Sequence, residues 1–109
     1  MKIKKLDESE WAKADGTFLQ GYLGPYSRTE IESKLGAPGF IDKDAGKVTI
    51  EWTRIINGEV VTLYCWKRSL PHPDQPIEWN VGGHSRVALG LMRQALQGVC
   101  LAWVREVPQ

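Results

Sequence analysis

Long apolar runs are missing from this chain. The longest, Val99–Val104, falls far short of the roughly 18 consecutive residues that a membrane-spanning helix requires. The lysines at 2, 4 and 5 precede no apolar stretch, so a secretory signal is not expected. An excess of one charge is missing too: 14 Lys+Arg stand against 13 Asp+Glu, and residues 1–54 and 55–109 are each close to neutral. A duplex-DNA binder takes most of its affinity from neutralising phosphates and carries a basic excess. A DNA mimic carries the reverse, and neither class is expected here.

Cysteine and histidine are equally scarce. Cys65 and Cys100 are too few and too far apart for a disulfide framework or a zinc signature. They read as buried free thiols that act as small hydrophobes. The two histidines, His72 and His84, form with Asp74 the only candidate metal or acid–base set, and their spacing matches no metal-binding pattern. No nucleophile elbow, phosphate-binding loop, paired-carboxylate motif or Cys–His arrangement occurs. No metal, cofactor or enzymatic activity is therefore expected.

What is present is ordinary for a globular chain: 109 residues, 42% hydrophobic and 25% charged. The length predicts a single domain over 1–109, and the composition predicts a soluble, cytoplasmic protein. Residues 1–16 are polar and read as a loosely ordered segment, with Asp7 and Glu10 in capping-box spacing before a short helix over about 8–14. Phe18, Leu19, Tyr22 and Leu23 surround Gly21 and predict a strand over about 17–23, interrupted by a bulge. Ser27 and Glu30 form a second capping box, Ile31 and Leu35 lie one turn apart, and Gly36 and Pro38 stop a helix over 28–35.

The clearest signal spans 47–67. Two β-branched, aromatic-rich runs flank Asn57-Gly58, the pair a two-residue type I′ turn needs because both residues take positive φ. That turn fixes the register. One face carries the pairs Ile50–Cys65, Trp52–Leu63 and Arg54–Val61 and is the expected core face. The other carries Thr49–Trp66, Glu51–Tyr64, Thr53–Thr62 and Ile55–Val60. Prolines 71, 73 and 76 stiffen the following loop. Ile77, Trp79 and Val81 alternate with polar residues, predicting a strand over 77–81 that Gly82-Gly83 ends. Ser85, Leu89, Met92, Leu96, Val99 and Trp103 then form a helical stripe that starts at 85 and is weakened at Gly98. The expected fold is α+β: a small, mainly antiparallel, four-stranded sheet with one short and one long helix packed on one face.

This chain resembles a family of small uncharacterised bacteriophage proteins. The resemblance rests on LQGYL at 19–23, LGAP at 35–38, TLYCWK at 62–67 and EWNVGGHS at 78–85, and spans about 17–97. The family pattern has His where this chain has Asn80, so nothing that depends on that imidazole carries over. The resemblance implies a phage or prophage origin and an α+β fold; it implies no chemistry. Phage accessory proteins of this size often bind and disable a host or antiviral-defence component, and that is the class of partner expected here.

Two groups of residues are candidate sites. Tyr64, Trp66 and Lys67, with His72 in an exposed proline-loop rim, form a partner-binding surface if the second face of the hairpin is open, and part of a core if a helix covers it. Gly82, Gly83, His84, Ser85 and Arg86 form a strand-to-helix turn that suits an anion such as a phosphorylated small molecule, or serves only as a turn. The long helix or a sheet edge also offers a route to a homodimer.

Overall fold

The computed structural model describes residues 1–41, 48–66, 70–97 and 103–106. In chain order the elements are β1 (Ile3–Lys5), a 3₁₀ helix (Glu8–Ala14), β2 (Phe18–Tyr26), α1 (Arg28–Leu35), β3 (Phe40–Ile41), β4 (Val48–Ile56), β5 (Glu59–Trp66), β6 (Ile77–Gly83), α2 (Val87–Ala95) and β7 (Trp103–Glu106). The fold class is α+β, as expected, but the sheet is larger than the expected four strands. Its strand order is β1-β4-β5-β6-β2-β7, and the short β3 shares the outer edge of β4 with β1. Every pairing is antiparallel. Among the described residues no helix is long and apolar enough to cross a membrane.

The central hairpin forms because its turn chemistry and its alternation agree. Asn57 and Gly58 both take positive φ, 50° and 85°, as a type I′ turn demands. The pairs from Ile50–Cys65 through Ile55–Val60 form in the expected register. One pair differs: Trp66 lies opposite Val48, with a register shift between Val48 and Ile50, so Thr49 is bulged out of the expected Thr49–Trp66 pairing.

The core lies on one face, under α1 and α2. Ile50, Trp52, Val61, Leu63, Cys65, Trp79 and Val81 supply it from the sheet, and Ile31, Leu35, Leu89, Met92 and Leu96 from the helical side. Each large side chain buried there contributes on the order of 1.5–3 kcal/mol. Trp52 and Trp79 meet edge to face, with centroids 5.5 Å apart and planes at 77°. Their indole N–H groups donate to Gly36 O at 2.9 Å and Tyr26 O at 2.8 Å, so neither buried donor is left without an acceptor. Cys65 is a buried free thiol; Cys100 lies outside the described residues.

Helix α1 begins as its sequence predicts. Ser27 Oγ accepts the Glu30 N–H at 3.1 Å, and the Glu30 carboxylate accepts the Ser27 N–H at 2.9 Å. Its far end is closed by Arg54, the buried charge on the core face of the hairpin. The guanidinium donates to Leu35 O at 2.7 and 3.3 Å and to Ala37 O and Thr53 O at 2.9 Å. A cation on the carbonyl end of a helix satisfies both orphan acceptors and the helix dipole. Desolvation pushes the Arg54 pKa down.

Other boundaries moved for identifiable reasons. Strand β2 runs through Pro25 to Tyr26, with a register shift between Leu23 and Tyr26 that removes the need for a ladder N–H at the proline. The expected bulge beside Gly21 is present, between Leu19 and Gly21. Phe40-Ile41, expected as loop, pairs with β4. The glycines at 82 and 83 belong to β6 instead of ending it, and α2 starts at Val87 and stops at Ala95. Trp103, the last position of the helical stripe, stands in β7 opposite Gly24. Val99 and Gly98 lie outside the described residues.

Candidate functional site

The second face of the sheet carries the seven-residue 3₁₀ helix and neither α-helix. One rung crosses it from β3 to β2: Phe40 opposite Glu51, Glu51 opposite Tyr64, Tyr64 opposite Asn80, and Asn80 opposite Tyr22. Residues directly opposite each other in a ladder share a face. The rung thus holds aromatic, amide and charged residue types and no aliphatic one. The rung beside it carries Thr53, Thr62 and Gly82. A side chain at Gly82 would strike Thr62 Oγ1, so this glycine keeps the floor low there.

Large side chains stand out of this floor at its margins. Trp11 is 62% exposed, Phe18 65%, Phe40 46% and Trp66 42%, well above what a core role allows. Between the 3₁₀ helix and β3, Trp11 and Phe40 border a groove of about 410 Å³ whose lining also includes Ala14, Glu51 and Thr53. A smaller depression of about 180 Å³ continues past Glu51 to Thr62, Tyr64, Gly82, Phe18 and Trp66. Glu51 lines both. Tyr64 and Trp66 pack edge to face at 6.4 Å, which fixes the ring plane that Trp66 offers.

Electrostatics single out Glu51. Partial burial raises its pKa, because the charged form loses water. Burial also raises the pKa of the facing Tyr64 phenol, with further contributions from the Glu51 carboxylate and from Tyr22. Tyr64 therefore stays a neutral hydrogen-bond donor. The other nearby acid, Glu10, has the opposite setting. Lys4 at 2.9 Å and Lys13 at 3.2 Å pair with it, and it accepts the Asp7 N–H at 3.3 Å. Its pKa is lowered to about 2, first by the hydrogen bond from Lys4. Glu10 thus ties the 3₁₀ helix to β1, holding one wall of the groove in place.

The sequence-predicted residues are dispersed by the fold. Tyr64 and Trp66 lie together on the open face; Lys67 lies outside the described residues. His72 is exposed, but its loop is bonded to α1, with Arg28 donating to Pro71 O at 3.2 Å and Thr29 to Pro73 O at 3.0 and 3.1 Å. His72 Nδ1 accepts the Asp74 N–H at 3.1 Å, a local turn contact, and His72 lines neither groove.

The Gly82–Arg86 segment divides its residues among structural tasks. Gly83 is buried where a side chain would strike Ala88 of α2, so it sets the helix-to-sheet distance. His84 Nε2 bonds Lys13 O at 2.7 Å, pinning the 3₁₀ helix to the end of β6. Ser85 Oγ accepts the Val87 N–H at 3.3 Å, and the Ala88 and Leu89 N–H groups go to Ser85 O and Arg86 O, both at 3.1 Å. The N–H groups an anion would need at this helix start are already donated within the chain.

Trp11, Phe18, Phe40, Glu51 and Thr53 were not singled out from the sequence as site residues. For Glu51 and Thr53 the signal was there, since the hairpin register puts Glu51 beside Tyr64. Trp11, Phe18 and Phe40 come from three separate segments, and only the strand order gathers them. Comparison of the chain with protein-family models, curated proteins and solved structures finds no match.

Proposed function

We propose that this chain is a non-enzymatic, phage-type accessory protein that docks a host or antiviral-defence protein on the second face of its sheet and thereby inhibits it. The phage setting comes from the sequence resemblance. The observation that carries the docking is the ring of exposed Trp11, Phe18, Phe40 and Trp66 around a floor of Glu51, Thr53, Thr62 and Tyr64. Aromatic anchors with polar groups between them are what interface energetics favour. The opposite face is covered by α1 and α2.

The test pairs binding with folding. Tagged wild-type protein recovered from host lysate and weighed by native mass spectrometry should carry an added protein mass. Trp66→Ala should lose that mass and keep its unfolding free energy, read by urea denaturation, within about 0.5 kcal/mol of wild type, as exposed substitutions do. Retention of the partner by Trp66→Ala and Phe18→Ala alike contradicts the reading. A fall of about 3 kcal/mol or more marks Trp66 as a core residue and removes its role as anchor.

A further inference from the structure

The groove between the 3₁₀ helix and β3 has an arrangement that points to the chemistry of its occupant. Two exposed aromatic residues line it, Trp11 from the 3₁₀ helix and Phe40 from β3. Its floor is Glu51 and Thr53, neighbours on one face of β4. Phe40 lies directly across the ladder from Glu51, so the ring and the carboxylate sit side by side.

Two cations also line the groove, and neither neutralises that carboxylate. The Arg54 guanidinium is turned to the carbonyls of Leu35, Ala37 and Thr53 and is almost fully buried. Lys5 reaches towards Gly36, with its Nζ about 4.0 Å from where a side chain at that glycine would begin. The two other lysines of this region, Lys4 and Lys13, are held by Glu10. Glu51 is thus a partly desolvated carboxylate on a groove lined by aromatic residues, and among the described residues it forms no ion pair.

We infer that this groove is a guanidinium pocket, in which an arginine side chain of the docked protein lies between Trp11 and Phe40 and ends on the carboxylate of Glu51. This rests on the docking reading above and specifies one contact within it. A guanidinium is planar, stacks on aromatic faces and is more weakly hydrated than an ammonium, so it is the cation best suited to a slot with aromatic walls. Its forked N–H groups meet a carboxylate in two parallel bonds, among the stronger hydrogen bonds proteins make. Thr53 Oγ1 offers a further acceptor beside that carboxylate. The raised pKa of Glu51 has the same origin as the selectivity: the group has given up water, no ion pair to it forms among the described residues, and an arriving cation restores what was lost.

The probe is N-acetyl-arginine amide, titrated into isotope-labelled full-length protein and followed by NMR. N-acetyl-citrulline amide, of the same shape but uncharged, is the control. The arginine amide should shift the Trp11 indole N–H and the Phe40 and Glu51 amides saturably in the millimolar range, and the citrulline amide should not. Glu51→Gln should weaken the response by about tenfold or more, because a charge-assisted pair becomes a neutral one. Trp11→Ala, a change at an exposed position, should weaken it as well. Equal responses to the two amides, a response unchanged in Glu51→Gln, or no response to arginine amide each overturn the assignment. The two proposals fail separately. Loss of the lysate partner in Trp66→Ala without an arginine response leaves docking intact and removes the pocket. A Glu51-dependent arginine response with the partner retained in Trp66→Ala and Phe18→Ala does the reverse.

Discussion

The two faces of the sheet are built from the same strands by alternate residues, yet they follow opposite rules. On one face β4 and β5 contribute Ile50, Trp52, Val61, Leu63 and Cys65, all buried, and the polar atoms among them are matched: each Trp indole has a carbonyl, and Arg54 has three. On the other face the Ile55–Val60 pair beside the turn is buried, but the remaining positions are Glu51, Thr53, Thr62 and Tyr64, and Trp11, Phe18, Phe40 and Trp66 stand exposed at the margins. The first face satisfies itself within the chain. The second leaves a carboxylate short of water and several aromatic rings uncovered, an arrangement that costs stability and makes sense where something else completes it.

The comparison can be broken most forcefully on the covered face. Trp79→Ala removes a fully buried ring together with its contact to Trp52 and its bond to Tyr26 O. It should cost about 3–5 kcal/mol, read as a large fall in the urea midpoint or as failure to fold. Arg54→Met keeps much of the side-chain bulk but leaves Leu35 O and Ala37 O without their donor. Its expected cost is about 1.5–3 kcal/mol, the range for hydrogen bonds from charged groups, and hydrogen exchange should show the C-terminal turn of α1 opening first. A neutral Arg54→Met would mean that the cation is dispensable there and that the faces differ less than described.

The smallest effect is expected on the open face, and its sign is reversed. Glu51 has a pKa raised by burial, so its folded form holds its proton to higher pH than the unfolded chain does. Such a group opposes folding once it is ionised, and the wild type gains stability as pH falls through the raised value. Glu51→Gln should accordingly stabilise the fold slightly at neutral pH, and the difference should shrink as pH is lowered into the ordinary glutamate range.

Legibility in the sequence followed the range of the interaction. The hairpin register and the start of α1 could be read because Asn57-Gly58 and Ser27/Glu30 act over a few residues. The alternation they impose already put Glu51 beside Tyr64. Strands β1, β3 and β7 are two to four residues long, and such short pieces carry no alternation to recognise. They exist because β4 and β2 offer edges for them. The glycine pair at 82–83 suggested a turn, whereas its use is close packing against Thr62 and Ala88, which depends on neighbours distant in sequence. Trp11, Phe18 and Phe40 share a surface only through that same topology, so of the aromatic rim Trp66 alone was legible in the sequence.

The central claim is that the open face keeps Glu51 for recognition, at some expense in stability. Paired urea denaturations of wild type and Glu51→Gln at pH 7 test it directly. A midpoint for the glutamine variant equal to or above that of wild type is the predicted result. A clear fall would show that the carboxylate holds the fold together, and would contradict the account.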